Sequence, residues 1–163
     1  MRPAILALGA NLGDPAAALQ GAVDALAGSE GIRVITASSV YLTDPVGGPE
    51  QGVYSNAVVR IETDLTPEQL LARVQVIELE FGRVRDVRWG PRTLDIDVID
   101  VDGQVSDDPV LTLPHPRAHE RGFVIVPWRE IEPDATLVGH GRISDLPVGR
   151  TGVRRTNERL VVA

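Results

Sequence analysis

The chain has no cysteine and no lysine; all 16 of its basic residues are arginine. The first absence excludes disulfides and thiolate metal sites while leaving the redox compartment open. The second excludes a lysine nucleophile, a Schiff base and the lysine of a Walker-type phosphate loop. Positive charge is also short overall. A formal net charge of -7 argues against broad nucleic-acid binding, which depends on neutralising many phosphates with basic side chains. An anionic ligand would have to be met locally, by arginine and histidine. No apolar run approaches the roughly 18–20 residues that a membrane-spanning helix needs. The stretch Met1 to Gly9 has no long apolar segment ending at a cleavage-like site, so it reads as a first strand, and a cytoplasmic location without membrane partners is expected. Aromatics are scarce, two each of Trp, Tyr and Phe, so where they fall carries information.

What is present suits one ordinary core. At 163 residues the chain is expected to form a single domain, 1–163. Ala4 to Leu8 reads as a buried strand, followed by a turn-rich segment, Gly9-Ala10-Asn11-Leu12-Gly13. Asp14-Pro15 is an N-cap with proline at the first helical position, opening a helix to about Ala27. Ile32 to Tyr41 reads as a second strand and Ser55 to Glu62 as a third. The segment between them, Thr43 to Gly52, is dense in proline and glycine and is expected to be a functional loop. Thr66-Pro67-Glu68-Gln69 opens another helix, with Leu70, Leu71, Val74, Ile77 and Phe81 at helical spacing, stopping near Gly82. Leu94 to Val101 is the fourth strand, and Asp102-Gly103 signals a hairpin turn. A short helix is expected before Gly122, and Phe123 to Ile131 reads as a helix or an extended segment. Residues 150–163 lack a core pattern and read as a peripheral strand or tail, though Leu160 to Val162 could pair with a sheet edge. The order strand, helix, strand, strand, helix, strand predicts an α+β, ferredoxin-like two-layer sandwich, an antiparallel sheet with a βαββαβ core and helices on one face.

The stretch that carries most chemistry is Trp89-Gly90-Pro91-Arg92-Thr93-Leu94-Asp95-Ile96-Asp97. Gly-Pro disfavours helix there. The period-two alternation that follows puts Asp95 and Asp97 on one strand face and Ile96 and Val98 on the other. Two acids on one face repel unless a cation lies between them; magnesium, which takes one or two carboxylates and completes its shell with water and phosphate, suits that pair. Standing alone, Asp-x-Asp is more often only a solvated strand edge. Arg92 has a planar fork that matches phosphate oxygens. Arg83, Arg85, Arg88 and Trp89 lie in the same loop, Gly82 to Arg92.

Taken together, Ala7 to Gly13, Tyr54-Ser55-Asn56-Ala57, Glu78 to Arg83, Arg88 to Asp97, Leu113-Pro114-His115-Pro116-Arg117 and Glu120-Arg121-Gly122-Phe123 resemble the 6-hydroxymethyl-7,8-dihydropterin pyrophosphokinase family of folate biosynthesis. The matches run in one order over most of residues 4–133. The resemblance implies transfer of an intact pyrophosphoryl group from MgATP to the hydroxymethyl oxygen of the pterin, releasing AMP. It implies two magnesium ions on Asp95 and Asp97, and catalytic charge from Arg83 and Arg92 brought in by a mobile loop. It places ATP near Gln75, Glu78, Arg85, Arg92, Thr112, His115 and Arg121, and the pterin near Thr43, Pro45, Val46, Tyr54, Asn56, Trp89, Asp95 and Phe123. Chemically, Tyr54 and Phe123 suit stacking on a flat heterocycle, and Asn56 offers it both a donor and an acceptor. No general base is assigned, because loose phosphoryl-transfer transition states ask mainly for positioning and charge.

Three positions depart from the family pattern. Val110 stands where a basic residue is expected near the ATP phosphates, Pro116 replaces a tyrosine found in some relatives, and Asp86 is an acid in a basic loop. Arg117, Arg121 or Arg88 would have to compensate. Two other readings remain at this point: a two-metal nucleotidyltransferase, for which a third well-placed acid is wanting, and a ferredoxin-like ligand-binding domain without catalysis, since that fold serves many functions. The expected state is a monomer binding ATP and the pterin, and no nucleic acid.

Overall fold

The computed structural model describes residues 1–11, 14–43, 53–82, 94–149 and 152–162. The chain runs β1 (Arg2–Ala10), α1 (Pro15–Ala27), β2 (Ile32–Ala37), β3 (Ser39–Thr43), β4 (Tyr54–Thr63), α2 (Pro67–Gly82) and β5 (Asp95–Val101). A hairpin of β6 (Ser106–Asp108) and β7 (Leu111–Leu113) follows, then a 3-10 turn, Ala118–Glu120, and α3 (Gly122–Ile131). A ribbon of β8 (Thr136–Leu137) and β9 (Gly141–Arg142), a second 3-10 turn, Ile143–Asp145, and β10 (Val153–Arg159) complete it.

The helix starts form as their sequences dictate. Asp14 Oδ1 accepts the Ala17 N–H at 3.1 Å, with Pro15 at the first position, where its missing donor costs nothing. At α2, Gln69 N–H donates to Thr66 Oγ1 at 3.2 Å and Thr66 N–H donates to Gln69 Oε1 at 2.9 Å. That reciprocal capping box satisfies two orphan donors. Ala18, Leu19, Ala22, Val23 and Leu26 on α1 and Leu70, Val74 and Ile77 on α2 are buried against Ala4, Leu6, Leu8, Ile61, Ile96 and Val98 of the sheet. Each fully buried Leu contributes about 1.5–3 kcal/mol, as an upper estimate.

The main sheet has the order β10-β3-β4-β1-β5, with β2 also paired to β4, and each pair is antiparallel. With β2 and β3 as two halves of one strand, this is the expected ferredoxin-like βαββαβ core. The strand predicted as continuous over 32–41 is broken at Ser38. Its hydroxyl donates to Ser39 O and accepts from Val58 N–H, a local side-chain pairing that competes with the ladder.

Three further expectations are corrected and two that were left open are settled. Helices on one face describes α1 and α2 only. The opposite face, through Ile5, Ala7, Val58 and Ile99, is covered by Val124, Ile125 and Trp128 of α3 with Leu137 and Ile143. Phe123 to Ile131, left open between helix and extended segment, is helical despite Pro127, which sits inside α3 and removes one helical donor. Asp102 and Gly103 do make a tight turn with φ of 52° and 67°, but β6 pairs with β7 rather than returning along β5. The helix expected before Gly122 is only the 3-10 turn. The C-terminal segment is a peripheral strand, as one of the two readings had it, but its paired residues are those of β10, on β3; Leu160 to Val162 follow it, and Leu160 is buried in the core. No helix among the described residues is long and apolar enough to cross a membrane.

Candidate active site

Antiparallel register sets the site. Gly9 on β1 pairs with Asn56 on β4 and with Asp95 on β5, and Asn56 pairs with Tyr41 on β3. Directly opposed residues share a face, so Tyr41, Asn56, Gly9 and Asp95 form one row across four strands. The next row inward holds Val58, Ala7 and Asp97, and the next outward holds Thr43 and Tyr54. Val58 and Ala7 lie under α3, so these rows emerge from beneath its first turn. The result is a cleft with an amide wall on β4, an acidic wall on β5 and a small-residue floor between them.

The floor depends on Gly9. A Cβ there would lie 3.4 Å from Asn56 Oδ1 and 4.0 Å from Tyr54 Cδ1. That is ordinary contact, so the bare backbone is not forced by crowding; it leaves room above the strand. Asn56, 5% exposed, is held by an Nδ2–H bond to Thr43 Oγ1 at 3.2 Å.

Asp95 and Asp97 share a face as the alternation predicts, while Leu94, Ile96 and Val98 enter the α1/α2 core. A register shift between Ile5 and Leu6 against β5 ends the alternation there. Between the two acids, Ile96 N–H donates to Glu78 Oε2 at 2.8 Å, so α2 clamps the outer edge of β5. Asp97 is 45% exposed on its side chain and lies 3.8 Å from the Arg121 guanidinium. Arg121 in turn sits 5.4 Å from the Phe123 ring centroid, a cation–π distance. One arginine therefore joins the acidic wall to the aromatic at the start of α3.

His115 is delivered beside β5 by its own N–H, which bonds Ile99 O at 2.9 Å, after a cis Leu113-Pro114 peptide. Arg117 N–H donates to His115 Nδ1 at 3.2 Å. An Nδ1 that accepts leaves the ring proton on Nε2. Burial lowers the His115 pKa below the usual imidazole value; Asp97 opposes this and the Arg121 and Arg117 charges add to it. The side chain is thus a neutral Nε2–H donor at neutral pH.

Of the remaining expected residues, Gln75 is exposed one turn before Glu78 on α2. Thr112 lies on β7 with its hydroxyl donating to Asp108 O at 3.0 Å. Val110 is 76% exposed. Arg83, Arg85, Arg88, Arg92, Asp86, Trp89, Pro45 and Val46 lie outside the described residues. Sequence reasoning did not find the part of Gly9, which it read as the start of a turn, nor the Glu78 clamp. An Asn and an Asp opposed across a glycine become visible only once strands are registered. A cavity of about 270 Å³ lined by Arg60, Asp100, Trp128 and Glu132 lies toward the other end of β1 and β5 and contains none of the expected residues.

Residues 5–133 match the family model for 7,8-dihydro-6-hydroxymethylpterin-pyrophosphokinase, HPPK. The chain belongs to the HPPK family. The 2-amino-4-hydroxy-6-hydroxymethyldihydropteridine pyrophosphokinase of Methylorubrum extorquens is 49% identical over 139 residues, covering 85% of this chain and 88% of that protein. The Pseudomonas aeruginosa protein of the same name is 42% identical over 132 residues, with 81% and 82% covered. The crystal structure of a Plasmodium falciparum HPPK-DHPS triple mutant with pteroate matches with a TM-score of 0.72 at 13% identity, over 94% of this chain and 46% of that one. At that identity the likeness is one of fold. The HPPK model spans β1 through α3 and thus every described site residue, and it ends just past the last turn of α3.

Proposed function

We propose that this cleft transfers the terminal pyrophosphoryl group of ATP to the hydroxymethyl oxygen of 6-hydroxymethyl-7,8-dihydropterin, and that the residues above do it as follows. The observation that carries the assignment is the row Asn56, Gly9, Asp95, with Arg121 joining Asp97 to Phe123. It puts a ring-edge reader, an open floor and an acid pair within one opening. The pterin lies over Gly9 between Tyr54 and Phe123, with its edge on Asn56 and Thr43. ATP lies along β5, where His115 Nε2–H donates to a phosphate oxygen and Arg121 neutralises another.

Asp95 and Asp97 suit hard divalent cations. Among the described residues no three His, Asp or Glu side chains cluster as a metal site, and two carboxylates are what magnesium uses when substrate phosphate supplies the rest of its shell. Asp95 and Asp97 would hold the ions, which when bound would supply charge neutralisation across the triphosphate. The hydroxymethyl oxygen forms a bond to the β-phosphorus while the bond from that phosphorus to the α,β-bridging oxygen breaks, and AMP leaves carrying that oxygen. The hydroxyl proton is released, with no protein base required. Arg83, Arg85, Arg92, Trp89, Pro45 and Val46, which lie outside the described residues, belong to this reading as the further phosphate and pterin contacts that the family resemblance implies.

One chain carries every group named, so the catalytic unit is a monomer, and ATP as co-substrate fits a cytoplasmic enzyme. Titration calorimetry with the pterin tests the cleft. Asn56→Ala and Phe123→Ala should each weaken pterin binding by about tenfold or more, the scale of a buried hydrogen bond or a stacked ring. Unchanged affinity in both would remove the pterin from this position.

A further inference from the structure

Glu130 stands near the end of α3, seven residues past Phe123 and outside every motif that suggested function. Its side chain is only 9% exposed. It accepts from Ser39 N–H at 3.0 and 3.1 Å, from Ser39 Oγ at 2.9 Å and from Tyr41 OH at 2.8 Å. Arg155 on β10 approaches its other side at 3.5 Å. Two strands, β3 and β10, are thereby tied to α3 through one carboxylate, and Tyr41 of β3 pairs directly with Asn56 of β4.

Stability alone is a poor reason for this arrangement. A carboxylate in the last turn of a helix opposes the helix dipole, and burying it requires every lone pair to be met. The apolar face of α3 already seats the helix on the sheet through Val124, Ile125 and Trp128. That attraction is non-directional; it selects which face is down but tolerates sliding and rotation. Directional bonds to a carboxylate do not. They fix α3 against β3, and β3 carries Tyr41 in the same cross-strand row as Asn56, Gly9 and Asp95. The other end of α3 carries Phe123, with Arg121 just before it.

We infer that Glu130 is a positioning residue that sets the spacing between Phe123 and the Asn56 edge, and so the width of the slot that takes the flat ring. The inference rests on the pterin assignment made above. It acts through Tyr41 and Ser39, touching neither substrate.

The test is steady-state kinetics and thermal melting of Glu130→Gln, Tyr41→Phe and the double variant, with Phe123→Ala as reference. Glu130→Gln keeps the volume but exchanges one acceptor oxygen for a donor. It should raise KM for the pterin about tenfold while KM for ATP and kcat stay within about twofold. Tyr41→Phe should raise the pterin KM by about threefold, and the double variant should be no worse than Glu130→Gln, the non-additivity of two ends of one link. A lowered Tm with an unchanged pterin KM overturns the inference and leaves Glu130 a plain structural clamp. If Glu130→Gln does not fold, Tyr41→Phe decides alone: an unchanged pterin KM overturns it. Should Phe123→Ala also leave the pterin KM unchanged, the slot itself has been misplaced; a large effect of Phe123→Ala beside none for Glu130→Gln rejects only the positioning role.

Discussion

Glu78 on α2 accepts the backbone N–H of Ile96 at 2.8 Å, midway between the two aspartates that face the cleft. A helix side chain thus caps the open edge of the catalytic strand at the point where the strand must hold its pleat. Removing the carboxylate leaves that N–H to water and lets the start of β5 fray.

Glu78→Ala should therefore cost about 1.5–3 kcal/mol of stability, the worth of a hydrogen bond to a charged acceptor, and lower kcat by about 10–100-fold through the displaced acids. Glu78→Gln, which keeps one acceptor, should recover most of the stability. Urea melts beside kinetics at saturating substrate separate the two effects.

Asp95 and Asp97 are partly exposed at an end of the sheet, so Asp95→Asn and Asp97→Asn should fold with little change in Tm. Turnover should fall by about 10³-fold or more, in keeping with the loss of electrostatic groups that act on developing charge. The magnesium concentration for half-maximal activity should rise in whichever variant retains measurable rate.

Gly9 separates room from stability. Since a Cβ at this position meets its neighbours at ordinary distances, Gly9→Ala should leave Tm within about 3 °C, a change of no more than about 1 kcal/mol for a chain of this size. The methyl group would stand on the cleft floor, and pterin affinity should fall by about tenfold, on the order of 1.4 kcal/mol. Calorimetry with the pterin alone reads this without ATP.

His115 gives a pH dependence with a definite sign. Its folded pKa lies below the unfolded value of 6.5, so the unfolded chain binds the proton more readily. The associated stability is fully present above about pH 6.5 and is lost as pH falls through the lowered folded value. Melts from pH 8 to 5 should show that loss, and His115→Gln should reduce the slope over this window. The same variant should weaken ATP binding at pH 8, where the wild-type ring is neutral and donates through Nε2.

Much of this architecture was legible in the chain because each signal was local. Asp14-Pro15 and Thr66-Pro67-Glu68-Gln69 announce their helices through caps that the structure reproduces bond for bond, and Asp95 and Asp97 follow from the two-residue period of a strand. The parts that were not legible depend on partners far away in sequence. Ser38 breaks its strand by bonding Val58 across 20 residues. Pro127 lies inside a helix because Val124, Ile125 and Trp128 have a sheet face to cover, and tertiary burial overrides its local cost. Gly9 reads as a turn residue until register sets it between Asn56 and Asp95. The site residues were found through ordered motifs; Glu78 lies in one of them but its bond to Ile96 N–H does not show in it, and Glu130 lies in none.

The central claim is tested most directly by analysing the products after the enzyme is incubated with ATP, magnesium and 6-hydroxymethyl-7,8-dihydropterin. The account predicts AMP that forms only when the pterin is present, matched one for one by the pterin diphosphate. ADP with a pterin monophosphate, free pyrophosphate with an adenylated product, or no pterin-dependent turnover by folded protein would each contradict it.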